Sequence, residues 1–494
     1  MKRVIAGLIA MTILLGTTAC NGGEKSAWTP RREKAAQDEF SAAQGYKVLE
    51  TACGPIKGIQ REGYAEYRGI RYATSERWER AVPVTGWDGE YDATAFGDRA
   101  SQFRGFYGVE NSPVNQFYYD EAAVHPDTGF SEDCLNLNLW VPEEAKDCPV
   151  LLFIHGGAFL TGGSDEPFID GAPYAKNGVL MVSINYRLGP FQAVYADGVT
   201  GNFALTDQVA ALQWVRDNIA DYGGDPTRVT IMGESAGAIS VQNLLLSPLA
   251  KGLFSGAVMM SGAGDLSKFA TPVAPDHMEP VWTQLKANLG VDDLSGLKER
   301  PAASIYANWL QAVGQQPAYA AGAANPIVDG EILPANVRTA LKEGIPADVP
   351  CIIGVLSEDM WPHSLYTAAM DYAVGQSEAG KASVYTYFFD RQLPGDGGFG
   401  AYHAADLWYA FGTLYRNVRP FEDVDYRISQ DMVAYLVNFV KTGDPNGGRL
   451  PKWEAVTAGS QKSLNFGDPK PAMMEPDMEA LAETERTHQP FPHK

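Results

Sequence analysis

A serine attacks an acyl carbonyl only if something exposes it, takes its proton and receives the charge that develops on the carbonyl oxygen. Gly233-Glu234-Ser235-Ala236-Gly237 would supply the exposure. The segment follows the apolar run Val229–Met232 and precedes Ala238–Leu246, which reads as a helix. A Gly-x-Ser-x-Gly between strand and helix turns so tightly that the serine hydroxyl is pushed out at the strand end. The helix behind it aims its N-terminal N–H groups at the same spot. The motif alone is short, and a glycine-rich turn with a passenger serine would look the same, so context has to carry it. Upstream, Val150–Ile154 ends in His155-Gly156-Gly157-Ala158-Phe159. Small residues there let the backbone approach a tetrahedral oxygen, so the N–H groups of Gly157, Ala158 and Ala236 are the candidate oxyanion donors.

Such groups need a rigid frame. Strand-like runs at Val150–Ile154, Leu180–Asn185, Val229–Met232, Ala257–Ser261, Val349–Val355 and Val384–Phe389 alternate with helical patterns. The helices include Thr206–Tyr222 and Asp425–Lys441. Continuous apolar strands separated by helices predict an α/β fold, a mostly parallel sheet covered on both faces. Asp98–Ser131 and Ala263–Ala324 fit this rhythm poorly and read as excursions that roof a pocket. The texture is otherwise even, without repeats or linkers, and 494 residues with 45% hydrophobic content suffice for one large core.

Motifs along most of the chain give it a family resemblance. They include Tyr67–Ala73, Ser131–Asn138, His155–Phe159, Asn185–Gly189, Gly201–Gln208, Ala211–Val215 and Asn218–Pro226, then Gly233–Gly237, Leu253–Gly262 and Phe439–Asn446. Over about residues 47–466 the sequence resembles the type-B carboxylesterases, the carboxylesterase/cholinesterase family of α/β-hydrolases. The resemblance implies that fold and a Ser-acid-His order of catalytic groups. His403, which opens the aromatic-rich His403–Phe411, matches the family's general base, with His363 its rival. The acid falls in Gly354-Val355-Leu356-Ser357-Glu358-Asp359-Met360. Ungapped matching gives Asp359 the place the family gives to Glu, with Glu358 as the alternative, and Met360 replaces a family glycine that would leave the loop looser. Glu234 and Ser261 match positions near the family's site. Cys134 matches a cysteine that the family usually bridges to an upstream partner, but Ser101 stands at the partner's place. Val124 stands where cholinesterases carry a choline-stacking tryptophan, which argues against choline recognition. Phe159, Tyr118, Tyr119, Phe399 and Trp361 are candidates to line a pocket, unless they belong to an aromatic-rich core.

The N-terminus has its own logic. Met1-Lys2-Arg3 and the apolar Val4–Leu15 form a signal peptide over residues 1–19, too short to span a bilayer. Thr17-Thr18-Ala19-Cys20 resembles a bacterial lipobox, so Cys20 is the candidate lipidation site, with simple cleavage and release as the alternative. Residues 20–46 are polar enough for a tether, leaving 47–494 as one domain. The expectation is an exported protein, lipid-anchored to the cell envelope, with the outer membrane favoured. A net charge of −21 argues against nucleic acid or an anionic membrane surface as partners, leaving the lipid as the only membrane contact. Cys53, Cys134, Cys148 and Cys351 could pair in three ways, and their spacing matches no zinc site. No metal or cofactor is called for. The chemistry expected is hydrolysis of a small-molecule carboxylic ester through an acyl-enzyme. The same triad could serve an amide, lactone or carbonate bond, and a non-catalytic adhesion module is the reading from another class.

Overall fold

A computed structural model describes residues 44–102, 113–123, 125, 127–265, 271–320, 322–344, 346–395, 400–467 and 470–487, with 113–116 as backbone only. Cys20, Val124 and Phe399 lie outside the described residues, as does the segment assigned to signal peptide and most of the tether. A 13-stranded sheet forms the frame. Its strands in chain order are β1 (Gly45–Thr51), β2 (Gly54–Arg61), β3 (Tyr64–Arg71), β4 (Asn136–Pro142), β5 (Cys148–Ile154) and β6 (Leu180–Ile184). They continue as β7 (Gly224–Glu234), β8 (Gly256–Met260), β9 (Cys351–Leu356), β10 (Val384–Phe389), β11 (Ser463–Asn465) and β12 (Ala472–Met474). The spatial order is 1-2-3-4-6-5-7-8-9-10-11-12, and Tyr91–Asp92 pairs with β2. The first strand opens at Gly45, just inside the stretch read from sequence as tether.

Strands β6, β5, β7, β8, β9, β10 and β11 are parallel neighbours, while β1 to β4 and β12 join antiparallel. Every residue of β5, β6, β8, β9 and β10 is buried. That requires cover on both faces, and the alternation along β5 shows it. Val150, Leu152 and Ile154 join one hydrophobic cluster, and Leu151 and Phe153 join the other. Each such side chain contributes about 1.5–3 kcal/mol of burial.

Helices α2 (Phe203–Asn218), α3 (Ala236–Leu246) and α6 (Pro362–Glu378) contribute to the first cluster. Helices α7 (Asp406–Ala410) and α8 (Asp423–Thr442) contribute to the second. A capping box between Glu422 and Asp425 starts α8, and Gly443 at φ 76° ends it.

The two excursions depart from this layering. The first carries α1 (Pro113–Glu121), and the short parallel ladder Arg99–Ala100 with Phe130–Ser131 closes its base. The second carries α4 (Glu279–Leu289) and α5 (Ala302–Gln315). Cys53, Cys134, Cys148 and Cys351 are all buried free thiols, so none of the three pairings is formed.

Candidate active site

The parallel strands deliver their C-terminal ends to one edge of the sheet, where an open α/β sheet places its chemistry. Ser235 leaves the end of β7, Ser261 the end of β8, and Ser357-Glu358-Asp359 the end of β9. Ser235 has φ 56° and ψ −121°, a conformation that costs a non-glycine residue about 1–3 kcal/mol. Its N–H donates to Met260 O at 2.9 Å, and Ile239 N–H donates back to its carbonyl at 3.0 Å. Strand β8 and helix α3 thus fix the turn from both sides.

Glycines decide how closely the two loops approach. A Cβ on Gly237 would lie 2.1 Å from Ile154 O, and one on Gly156 would lie 2.8 Å from Glu234 O and 3.2 Å from Ser235 Cβ. The turn after β5 therefore lies directly against the Ser235 backbone. It continues through Gly157 (φ 96°), Ala158 (φ 56°) and Phe159 (φ 59°), a left-handed run. Among the described residues, the N–H groups of Gly157, Ala158 and Ala236 meet no protein acceptor. His155 does not join the chemistry: it is buried, stacked on Tyr186 at 4.4 Å, and burial pushes its pKa down to about 4.

His403 is the histidine that meets the serine. Its Nε2 lies 2.9 Å from Ser235 Oγ and its Nδ1 lies 2.7 Å from Asp359 Oδ1. All three side chains are buried. Asp359 Oδ1 also accepts from Met360 N–H at 2.7 Å, so the short side chain is steadied by its own backbone. Glu358 faces away from the ring. Its carboxylate accepts from Ser357 Oγ, from Gln392 Nε2 at 2.9 Å and from Ala401 N–H at 2.9 Å. It ties the acid loop to the histidine loop without touching the imidazole.

Glu234 and Asp406 complete the electrostatics. Glu234 Oε1 lies 3.2 Å from His403 Nε2, and burial lifts its pKa to about 8. Asp406 is buried beneath Tyr387, whose hydroxyl donates to it at 2.5 Å, and burial lifts it to about 7. Burial alone would lower His403, but the Glu234 and Asp359 carboxylates outweigh it and carry the ring up to about 9. Glu234 and His403 therefore titrate as a pair. A protonated Glu234 releases its hold on the imidazolium and leaves the ring able to act as a base. Ser261 Oγ is buried without a protein partner among the described residues.

A model of the carboxylesterase family matches residues 45–367 and 358–484. The chain belongs to the carboxylesterase family. Phenmedipham hydrolase of Pseudarthrobacter oxydans is 30% identical over 492 residues, which cover 85% of this chain and 95% of that protein. Para-nitrobenzyl esterase of Bacillus subtilis (strain 168) is 29% identical, covering 91% of this chain and 99% of that one. A solved structure of a thermophilic PNB esterase superposes with a TM-score of 0.75 at 26% identity, covering 89% of this chain and 99% of that chain. The fold is accordingly the α/β-hydrolase fold, and the carboxylesterase is a carboxylic ester hydrolase.

The roof of this carboxylesterase differs in detail from the expectation. Phe159 is fully buried in the core, and Tyr119 is half-buried with one ring face stacked on His125 at 3.9 Å. Tyr118 is half-buried and donates to the backbone carbonyl of His403 at 2.8 Å. Trp361 is half-buried at the start of α6, beside His363. From the second excursion, Tyr306 Oη donates to Leu160 O at 2.7 Å, just beyond the glycine loop. Asp406 and Glu121 were not singled out from sequence. Asp406 had a local signal, since it lies three residues past His403 in the same aromatic-rich segment, whereas Glu121 had none.

Proposed function

We propose that this carboxylesterase cleaves a small-molecule carboxylic ester through an acyl-enzyme on Ser235. The observation that carries the proposal is the unbroken chain Ser235 Oγ–His403 Nε2 and His403 Nδ1–Asp359 Oδ1, at 2.9 and 2.7 Å. With Nδ1–H donating to Asp359, Nε2 is left to accept the serine proton. Ser235 Oγ attacks the acyl carbon, and the carbonyl oxygen takes the negative charge. The N–H groups of Gly157, Ala158 and Ala236 receive it, and their lack of another partner supports that role. The imidazolium, steadied by Asp359, returns its proton to the leaving alcohol. Water then attacks the acyl-enzyme with His403 again taking the proton, which frees the acid and Ser235. The strained φ of Ser235 supports the same reading, because strain of this kind persists where it serves a site.

A fluorophosphonate probe tests the nucleophile. It should label the wild type stoichiometrically, and Ser235→Ala should abolish both labelling and turnover of a para-nitrobenzyl ester. Persistent labelling of that variant removes the proposal.

The proposal extends to location. Lys2-Arg3, the apolar Val4–Leu15 and Cys20 support export with a lipid at Cys20 and a tether to the domain, and Asn21 after the cysteine favours an outer membrane. Mature protein should start at Cys20, carry fatty-acyl mass and partition into detergent. An unmodified, water-soluble form would show simple cleavage instead.

A further inference from the structure

Helix α1 sits on the histidine loop through contacts that the triad does not account for. Glu121, at its C-terminal end, is buried and accepts four hydrogen bonds. Arg419 grips it with Nε on Oε2 and Nη2 on Oε1, both at 2.7 Å. Asn417 Nδ2 adds 3.2 Å, and Tyr402 Oη adds 3.0 Å. Tyr402 immediately precedes His403, and its ring packs edge-on against Phe117 and Tyr118 of the same helix. Tyr118 Oη donates to the His403 carbonyl itself. The backbone joins in, with Val418 N–H on Glu121 O at 2.9 Å and Ala123 N–H on Arg416 O at 2.6 Å. The peptide of His403 is thus held from α1 on two sides, at the preceding side chain and at its own carbonyl. Among the described residues, the excursion that carries α1 has no covalent closure: Cys134 is a free thiol and shares a small cavity with Ser101.

We propose that Glu121 is a positioning residue for His403, clasping α1 to Arg419 and Tyr402 so that the imidazole stays in reach of Ser235. This rests on His403 being the general base. The ring works within hydrogen-bond tolerance of two partners, and a 1 Å misplacement far from the chemistry costs about 10²-fold. The clasp is noncovalent but buried and bidentate, so neutralising Glu121 takes the carboxylate away from a buried guanidinium that otherwise holds Pro394 O at 3.1 Å.

The test uses active-site-titrated enzyme on one activated ester. Labelling of wild-type Ser235 by the fluorophosphonate probe checks the underlying reading on its own, and the comparison of variants then checks this one. Glu121→Gln should lower kcat by about 10²-fold with KM little changed. It should also move the acidic limb of kcat/KM to lower pH, as the ring withdraws from the Glu234, Asp359 and Asp406 carboxylates. Glu66→Gln is the structural control. Glu66 is likewise buried and paired with Arg61 and Arg68, but it lies on β3. It should lose thermal stability and keep both kcat and the limb. Tyr118→Phe removes only a hydroxyl and should cost about three- to tenfold in kcat, the worth of one neutral hydrogen bond; it decides the matter if Glu121→Gln fails to fold. Wild-type kcat and limb in both Glu121→Gln and Tyr118→Phe overturn the proposal, and so does a Glu66→Gln variant that shows the same losses as Glu121→Gln.

Discussion

Ser235 and His403 face each other at 2.9 Å, but the structure brings them there by different means. Ser235 is held by backbone. Its turn is pinned by Met260 O, by the first bond of α3 and by a glycine loop too close to admit a Cβ. His403 is held by side chains from distant segments: Glu358 from the loop after β9, and Glu121 and Tyr118 from α1. The buried carboxylates differ as well. Near Ser235, burial lifts both Glu166 and Glu234 to about 8, although the Arg99 charge pulls Glu166 the other way. Behind His403, Glu121 and Asp425 are gripped by Arg419 and Arg391, while burial lifts Asp406 to about 7 as it lifts Glu234. Ser235 is held by chain geometry, and His403 by side chains that reach it from distant segments.

The largest expected effect is at the acid. Asp359→Asn should keep the fold and favour the wrong imidazole tautomer, with a loss of about 10⁴ in kcat as in a serine protease triad. Glu358→Gln should cost on the order of tenfold, since it weakens the tie to Ala401 but leaves the Asp359–His403 bond intact. Asp359→Glu should retain more activity than Asn. The measurement is kcat on one ester, with circular dichroism to confirm folding. A severe Glu358→Gln and a mild Asp359→Asn would reverse the two roles.

Next comes the backbone side. Gly156→Ala places a Cβ 2.8 Å from Glu234 O, a backbone atom held in the end of β7. The loop has to move, which should cost about 10² in kcat and about 1–3 kcal/mol of stability. Equal kcat for Gly156→Ala and wild type would mean that the glycine turn is not what fixes the nucleophile's surroundings.

The same division decides what the sequence alone reveals. The nucleophile turn, the glycine loop and the parallel strands are local patterns of a few residues, because backbone geometry imposes its requirements locally. The strand runs are found within a few residues of where they were read, and Thr206–Tyr222 differs only in starting at Phe203 and ending in a tight turn over Ile219–Tyr222. Glu121 leaves no such trace. Its partners lie 281 and 298 residues away in the chain, and nothing in Pro113–Glu121 marks that glutamate among its neighbours. Glu358 and Asp359 sit between these extremes. Adjacent residues leaving a strand face opposite ways, so one meets His403 and the other Ala401, and only the fold shows which. The cysteine spacing leaves the pairing open, and the missing partner of Cys134 is legible at Ser101; the fold buries all four thiols unpaired, as small apolar side chains.

A smaller effect tests where the halves meet. Glu234 belongs to the nucleophile turn and touches the base. Glu234→Gln removes one of the two leading carboxylates that raise His403, so the acidic limb of kcat/KM should move to lower pH. A pH–rate profile checks this, and a limb that stays in place would mean that Asp359 alone sets the base.

The smallest effect concerns stability, where the sign runs against ordinary acid denaturation. Glu166 has a folded pKa of about 8 against an ordinary 4.5, and burial is the main cause. It therefore keeps in the fold a proton that the unfolded chain gives up. Its contribution is fully present below about pH 4.5 and is lost as pH rises through 8, because the native state binds more protons over that window. The loss is on the order of a few kcal/mol. Glu166→Gln keeps the shape of the neutral side chain and cannot ionise. Between pH 5 and 8 its Tm should fall less steeply than that of the wild type, and near pH 8 the variant should be the more stable of the two. Asp425→Asn on the base side should do the opposite. The Arg391 and Tyr409 bonds to that carboxylate outweigh its burial and hold it below the ordinary range, so the wild type gains from its charge above about pH 4. Thermal melts of the three proteins from about pH 2 to 8 measure both signs, Glu166→Gln between about pH 5 and 8 and Asp425→Asn below about pH 4. Parallel Tm–pH curves for all three would mean that the two halves of the site do not differ in how they carry buried charge.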